Sequence, residues 1–124
     1  MMQAEATTKD GLWMVLKLEQ MNAPVLEEVQ EEGKDEFKMV SKAGWRLTVR
    51  ADEKVDPARL IDAFRGLIQG QTGSSPAAMQ PFYVYGVIVF EWRERIQFDE
   101  AALFEGLRAC VATSAMKRPN SAGP

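Results

Sequence analysis

Residues able to do chemistry are scarce in this chain, and the scarcity narrows its function. It has no histidine and a single cysteine, Cys110. Without histidine, the usual near-neutral proton carrier and the commonest metal ligand are both missing. No Ser-His or Cys-His nucleophile pair can be built, and one thiol cannot make a structural zinc site. What remains is carboxylate chemistry: Glu91 and Glu94 could meet Asp52 and Glu53 around a cation, but no ligand spacing marks them as a calcium-type loop. Gly70–Ser75 has the glycines of a phosphate cradle. It lacks the Lys-Ser/Thr ending, however, and follows a helical stretch instead of opening one. Cys110 falls on an apolar helical stripe, the place of a small buried hydrophobe. The expectation is a non-enzymatic protein with no catalytic, cofactor-binding or metal residues.

The residue types in good supply suit recognition instead. Trp92, Arg93 and Arg95 stand at the end of an extended, charge-alternating segment, with Tyr83 and Tyr85 just upstream. Aromatic and arginine side chains are the usual anchors of protein interfaces, and an extended segment can add to a neighbour's sheet through main-chain hydrogen bonds. These five residues form the expected interface. The main alternative uses Trp13, Lys38, Arg46, Arg50 and Tyr85. Gathered on one sheet face, they would set rings for base stacking beside cations for phosphates, as a single-stranded nucleic-acid platform requires. A further alternative is a small-ligand regulatory protein using the loop expected over Gly70–Gln80.

Composition bounds the partners. At 124 residues, 46% hydrophobic and 27% charged, the chain makes one domain with a real core and needs no disulfide. A net charge of −3 gives no general attraction to nucleic acid or anionic lipid. No apolar run approaches the roughly 20 residues of a membrane helix, so no membrane partner is expected. The N-terminus has no basic-then-apolar leader, which makes an intracellular, cytoplasmic location the expectation. Incorporation into a larger particle, for instance a virion, is compatible with that.

The positioning elements follow from periodicity. Residues 1–10 are polar and read as a flexible arm, 11–115 as a single domain, and 116–124 as a polar tail. Leu12, Met14, Leu16 and Leu18 alternate with other residues and predict a strand. Asn22 and Pro24 suit the start of a helix that Gly33 would end. Glu36–Ser41 and Trp45–Ala51 read as a hairpin turning at Lys42–Gly44. Asp56 and Pro57 then open a helix with Leu60, Ile61, Phe64, Leu67 and Ile68 on one stripe, stopped by Gly70. Phe82–Trp92 reads as a strand buried on both faces at its centre. Asp99 caps a last helix bearing Leu103, Phe104, Leu107, Cys110 and Val111.

The order β-α-β-β-α-β-α predicts an α+β, ferredoxin-like, four-stranded antiparallel sheet with an additional C-terminal helix. Leu12, Met14, Leu16, Phe37, Met39, Trp45, Leu47, Val49 and the even positions from Val84 to Trp92 would face the helices. Trp13, Val15, Lys17, Lys38, Arg46, Arg50, Tyr83, Tyr85, Val87 and Val89 would face away. The functional expectation is a protein–protein interaction or assembly subunit that forms homo-oligomers or docks into a larger complex.

Overall fold

The computed structural model describes residues 1–31, 34–93 and 97–118, with side chains described outside residues 23–42. The chain is α+β, as its sequence indicates, but among the described residues the sheet has five strands and there are two helices. In chain order these are β1 (Met2–Thr7), β2 (Trp13–Glu31), β3 (Lys34–Ala51), α1 (Pro57–Thr72), β4 (Ala77–Met79), β5 (Val87–Arg93) and α2 (Glu100–Thr113). The strands lie in the order β1-β2-β3-β5-β4, and every neighbouring pair is antiparallel.

Several sequence expectations are therefore corrected. The segment from Asn22, expected to be helical, belongs to β2 through Glu31. Gly33, its expected stop, lies outside the described residues. The expected turn at Lys42–Gly44 is absent, and Lys34–Ala51 run as one strand. With no helix between β2 and β3, the ferredoxin-like crossover does not form. Instead, one long hairpin pairs Met14 with Ala51 at one end and Glu31 with Lys34 at the other. Residues 2–7, read as part of an arm, form the edge strand β1 on β2. Residues 119–124 of the tail lie outside the described residues.

Both helices pack on one face of the sheet. Met14, Leu16 and Leu18 of β2 meet Leu47 and Val49 of β3 and Ile88 and Phe90 of β5 in a single buried cluster. Leu60, Phe64 and Ile68 of α1 and Leu103, Leu107 and Val111 of α2 complete it. Phe64 meets Phe90 with ring centroids 5.7 Å apart, which seats α1 over β5. Within the strands the expected division of faces is correct for the described side chains, because strand alternation puts residues two apart on the same side. Val84, expected to face the helices, and Tyr83 and Tyr85, expected on the other face, are exposed ahead of β5.

The helix starts follow local chemistry. The carboxylate of Asp56 accepts from the Ala58 N–H at 3.0 Å, with Pro57 behind it. The Asp99 carboxylate accepts from the Ala102 N–H at 3.2 Å. α1 runs past Gly70 and ends where Gly73 takes a left-handed φ of 72° and donates its N–H to the Gln69 carbonyl. The loop expected over Gly70–Gln80 is thus interrupted, its start taken by the last helical turn and Ala77–Met79 by the short edge strand β4. After α2, the chain crosses to the loop before α1: Asp56 N–H donates to the Met116 carbonyl at 2.7 Å and Arg118 N–H to Lys54 at 2.9 Å.

Candidate interaction surface

The face of the sheet away from the helices is uncovered by them. Its cross-strand rows follow from register: Glu5, Val15, Arg50 and Val87 form one, Gln3, Lys17, Thr48 and Val89 the next, and Glu19, Arg46 and Glu91 the third. Val15, Lys17, Thr48, Val87 and Val89 are half-buried, whereas Glu5 and Arg50 are exposed. Val87 and Val89 thus receive no cover from α2. Trp13 is 52% exposed at the end of this face. Arg46 is held by Glu91, whose Oε1 accepts from both Nε and Nη2 at 2.9 Å.

The five expected interface residues do not form one patch. Trp92 is 4% exposed on the helix face, opposite Trp45, so it belongs to the core. Arg93 is exposed and pairs with Gly44. Its guanidinium passes so close that a Cβ on Gly44 would lie 3.1 Å from Nη1. Arg95 lies outside the described residues. Tyr83 and Tyr85 are not in a strand: β5 begins only at Val87, and the preceding residues form a turn. The expectation of a strand buried on both faces over Phe82–Trp92 is corrected accordingly. Gly86, at φ 72°, bends the chain into β5 and accepts from the Ala51 N–H. That bend throws the aromatic residues before it outward. Phe82, Tyr83 and Tyr85 are each more than four-fifths exposed, and Tyr83 itself has a left-handed φ of 66°. The Phe82 and Tyr83 rings lean together with centroids 4.0 Å apart.

For the nucleic-acid alternative, Trp13, Arg46 and Arg50 do share the uncovered face, and Lys38 stands in β3 with its side chain outside the described set. Tyr85 sits in the aromatic turn at the margin of that face. A groove of about 760 Å³ opens beside this turn, lined by Asp52, Glu53, Lys54, Tyr85, Lys117 and Arg118 among others. Its charges are mixed. No cluster of three metal-ligating side chains occurs among the described residues, and none of their helices is long and apolar enough to cross a membrane. Cys110 is half-buried, with Sγ 3.8 Å from the Ser114 hydroxyl.

Sequence reasoning missed the most extended part of the surface. β1 pairs with β2 only as far as Leu18, and β5 pairs with β3 only from Gly44 onward. Beyond those points β2 and β3 pair with each other alone, among the described residues, up to Glu31 and Lys34. At roughly 3.4 Å per residue, Asn22 to Glu31 make a two-stranded ribbon about 30 Å long. The signal was present in the sequence. It lies in charge across the strands, where Glu27 and Glu31 fall opposite Lys38 and Lys34.

No protein-family model matches the chain, and the searches of curated proteins and of solved structures return no match either.

Proposed function

We propose that the protein is a non-enzymatic assembly subunit that acts by contact, building homo-oligomers or docking into a larger complex. The observation that carries this reading is the β2–β3 ribbon. Its strands continue about 30 Å beyond any third described strand. A solitary two-stranded hairpin is marginal in water, and three strands or a packing partner are normally needed to hold one. A second chain supplies what the ribbon's own body does not. The uncovered sheet face and the exposed Phe82, Tyr83 and Tyr85 add apolar surface of the kind interfaces use. The single-stranded nucleic-acid reading has less support. Glu5, Glu19 and Glu91 interleave the basic residues of that face, and Arg46 is already engaged by Glu91.

The test compares the whole chain with a variant in which residues 22–43 are replaced by an Asn-Gly turn joining Met21 to Gly44. Sedimentation should show the whole chain as more than one copy and the shortened chain as a monomer with an unchanged helical signal. If the whole chain is instead monomeric, its ribbon amides should exchange far faster than those of the body, marking a site for a foreign chain. A monomer whose ribbon is as protected as its body overturns the reading.

A further inference from the structure

The two long edges of the ribbon are not equivalent. In β3 the Ala51 N–H donates to Gly86 on the β5 side, while the next N–H, that of Asp52, donates to Trp13 of β2. Strand alternation carries this along β3, so its odd-numbered residues, Met39 among them, turn N–H and C=O away from β2. In β2 the Leu12 carbonyl accepts from Thr8 on the β1 side and the Trp13 carbonyl from the β3 side, so even-numbered residues face outward there. Pro24 is one of these, and it has no N–H. A proline facing outward leaves the β2–β3 ladder intact while blunting that edge against further strands. The outer edge of β3 over Lys34–Ala43 contains no proline, and no described strand pairs with it. It begins just beyond Gly44, the last residue of β3 described as paired with β5.

We infer that this edge is the subunit contact, and that it pairs antiparallel with the same edge of a second copy across a two-fold axis centred on Met39. This rests on the assembly reading above and specifies its partner. Charge and length together select the register: centring on Phe37 also sets Glu36 opposite Lys38 but pairs only Lys34–Val40, whereas centring on Met39 pairs Asp35–Ala43, nearly the whole edge that no described strand covers. Centred on Met39, Glu36 of each copy stands opposite Lys42 of the other, Phe37 opposite Ser41, and Lys38 opposite Val40. Centring on Lys38 sets that lysine against its own copy, and centring on Val40 sets Lys38 against Lys42. Opposite charges across strands stabilise the pair and like charges destabilise it. Faces also match, because a two-fold axis normal to the sheet keeps each residue on its own side. The product is a continuous four-stranded sheet, which removes both the isolation of the ribbon and its open edge.

The experiment uses Met39 and its register partner Leu26. Both turn their N–H groups outward, on opposite edges, so proline disturbs the ribbon equally at either position. By sedimentation, Met39→Pro should weaken the dimer about tenfold or more while Leu26→Pro leaves it unchanged. A trapping experiment does not depend on proline tolerance. On a Cys110→Ser background, Met39→Cys should form an intermolecular disulfide, whereas Leu26→Cys and Phe37→Cys should not. If the whole chain oligomerises but Met39→Pro matches wild type, or if Met39→Cys cross-links no faster than Leu26→Cys, this contact is wrong while the assembly reading stands. A monomeric chain with an unprotected ribbon also overturns the two-fold contact and points to a foreign strand. A monomer with a protected ribbon removes both.

Discussion

A few residues fix the geometry on which everything else depends. Gly86 combines a φ of 72° with a carbonyl of Ala51 lying 2.5 Å from where a Cβ would stand. Gly86→Ala should therefore cost about 1–3 kcal/mol in denaturant unfolding, through backbone strain and displacement of β3 from β5. The aromatic residues just before it behave oppositely. Phe82→Ser, Tyr83→Ser and Tyr85→Ser should each stay within about 0.5 kcal/mol, since those rings bury little. Asp10 ties two distant segments. The Thr8 hydroxyl donates to its Oδ1 at 2.6 Å and the Lys117 N–H to its Oδ2 at 3.0 Å. The Thr8 hydrogen bond is the main cause of a carboxyl held below its ordinary pKa, partly opposed by desolvation. Because the folded value is the lower one, the stabilisation is full above the unfolded pKa and fades as pH falls through the folded one. Asp10→Asn should lower the neutral plateau of a stability–pH profile while leaving its acid end little changed, which flattens the acid limb.

At the level of elements, the two helices were legible because local signals and tertiary demand agree. Asp56 and Asp99 cap them, and their apolar stripes supply buried residues of the core. Asp56→Ala should lose about 1 kcal/mol in chemical unfolding, the usual cost of removing a side-chain N-cap. The division of the sheet into faces was legible for the same reason, since period two is enforced wherever one side is buried. The segment after Asn22 misled because it carries two patterns at once. Glu, Leu and Gln are good helix formers and Pro24 suits a first turn, yet Glu27 and Glu31 find opposite charges in Lys38 and Lys34 across a hairpin. Long-range pairing with Lys34–Ala43 outweighs local propensity there. Phe82–Tyr85 misled differently. Aromatic residues suit strands by composition, but the bend at Gly86 comes after them, and nothing local marks where a strand starts when its neighbours are equally apolar. Of the expected interface, only residue type was readable. Trp92 has the chemistry of an anchor, but its place on the helix side of β5 makes it core.

Taken whole, the molecule is a helix-backed sheet from which one hairpin runs on. Its chief buried cluster draws on the body, so the shortened variant without residues 22–43 should keep its unfolding midpoint while losing any self-association. That pairing of outcomes separates a structural hairpin from one kept for contact. A hairpin needed for folding would drag the midpoint down with it.

The root of the hairpin has an optical consequence. Trp45 and Trp92 face each other there at 4% exposure, Phe98 sits edge-on to Trp45 at 5.2 Å, and neither indole N–H has an acceptor among the described residues. Trp13 is the remaining tryptophan, and water reaches it. A Trp13→Phe protein would thus emit only from the dry pair at the junction, at short wavelength. Its fluorescence becomes a built-in gauge: a red shift on dilution would report loosening at the foot of the hairpin, with no label attached.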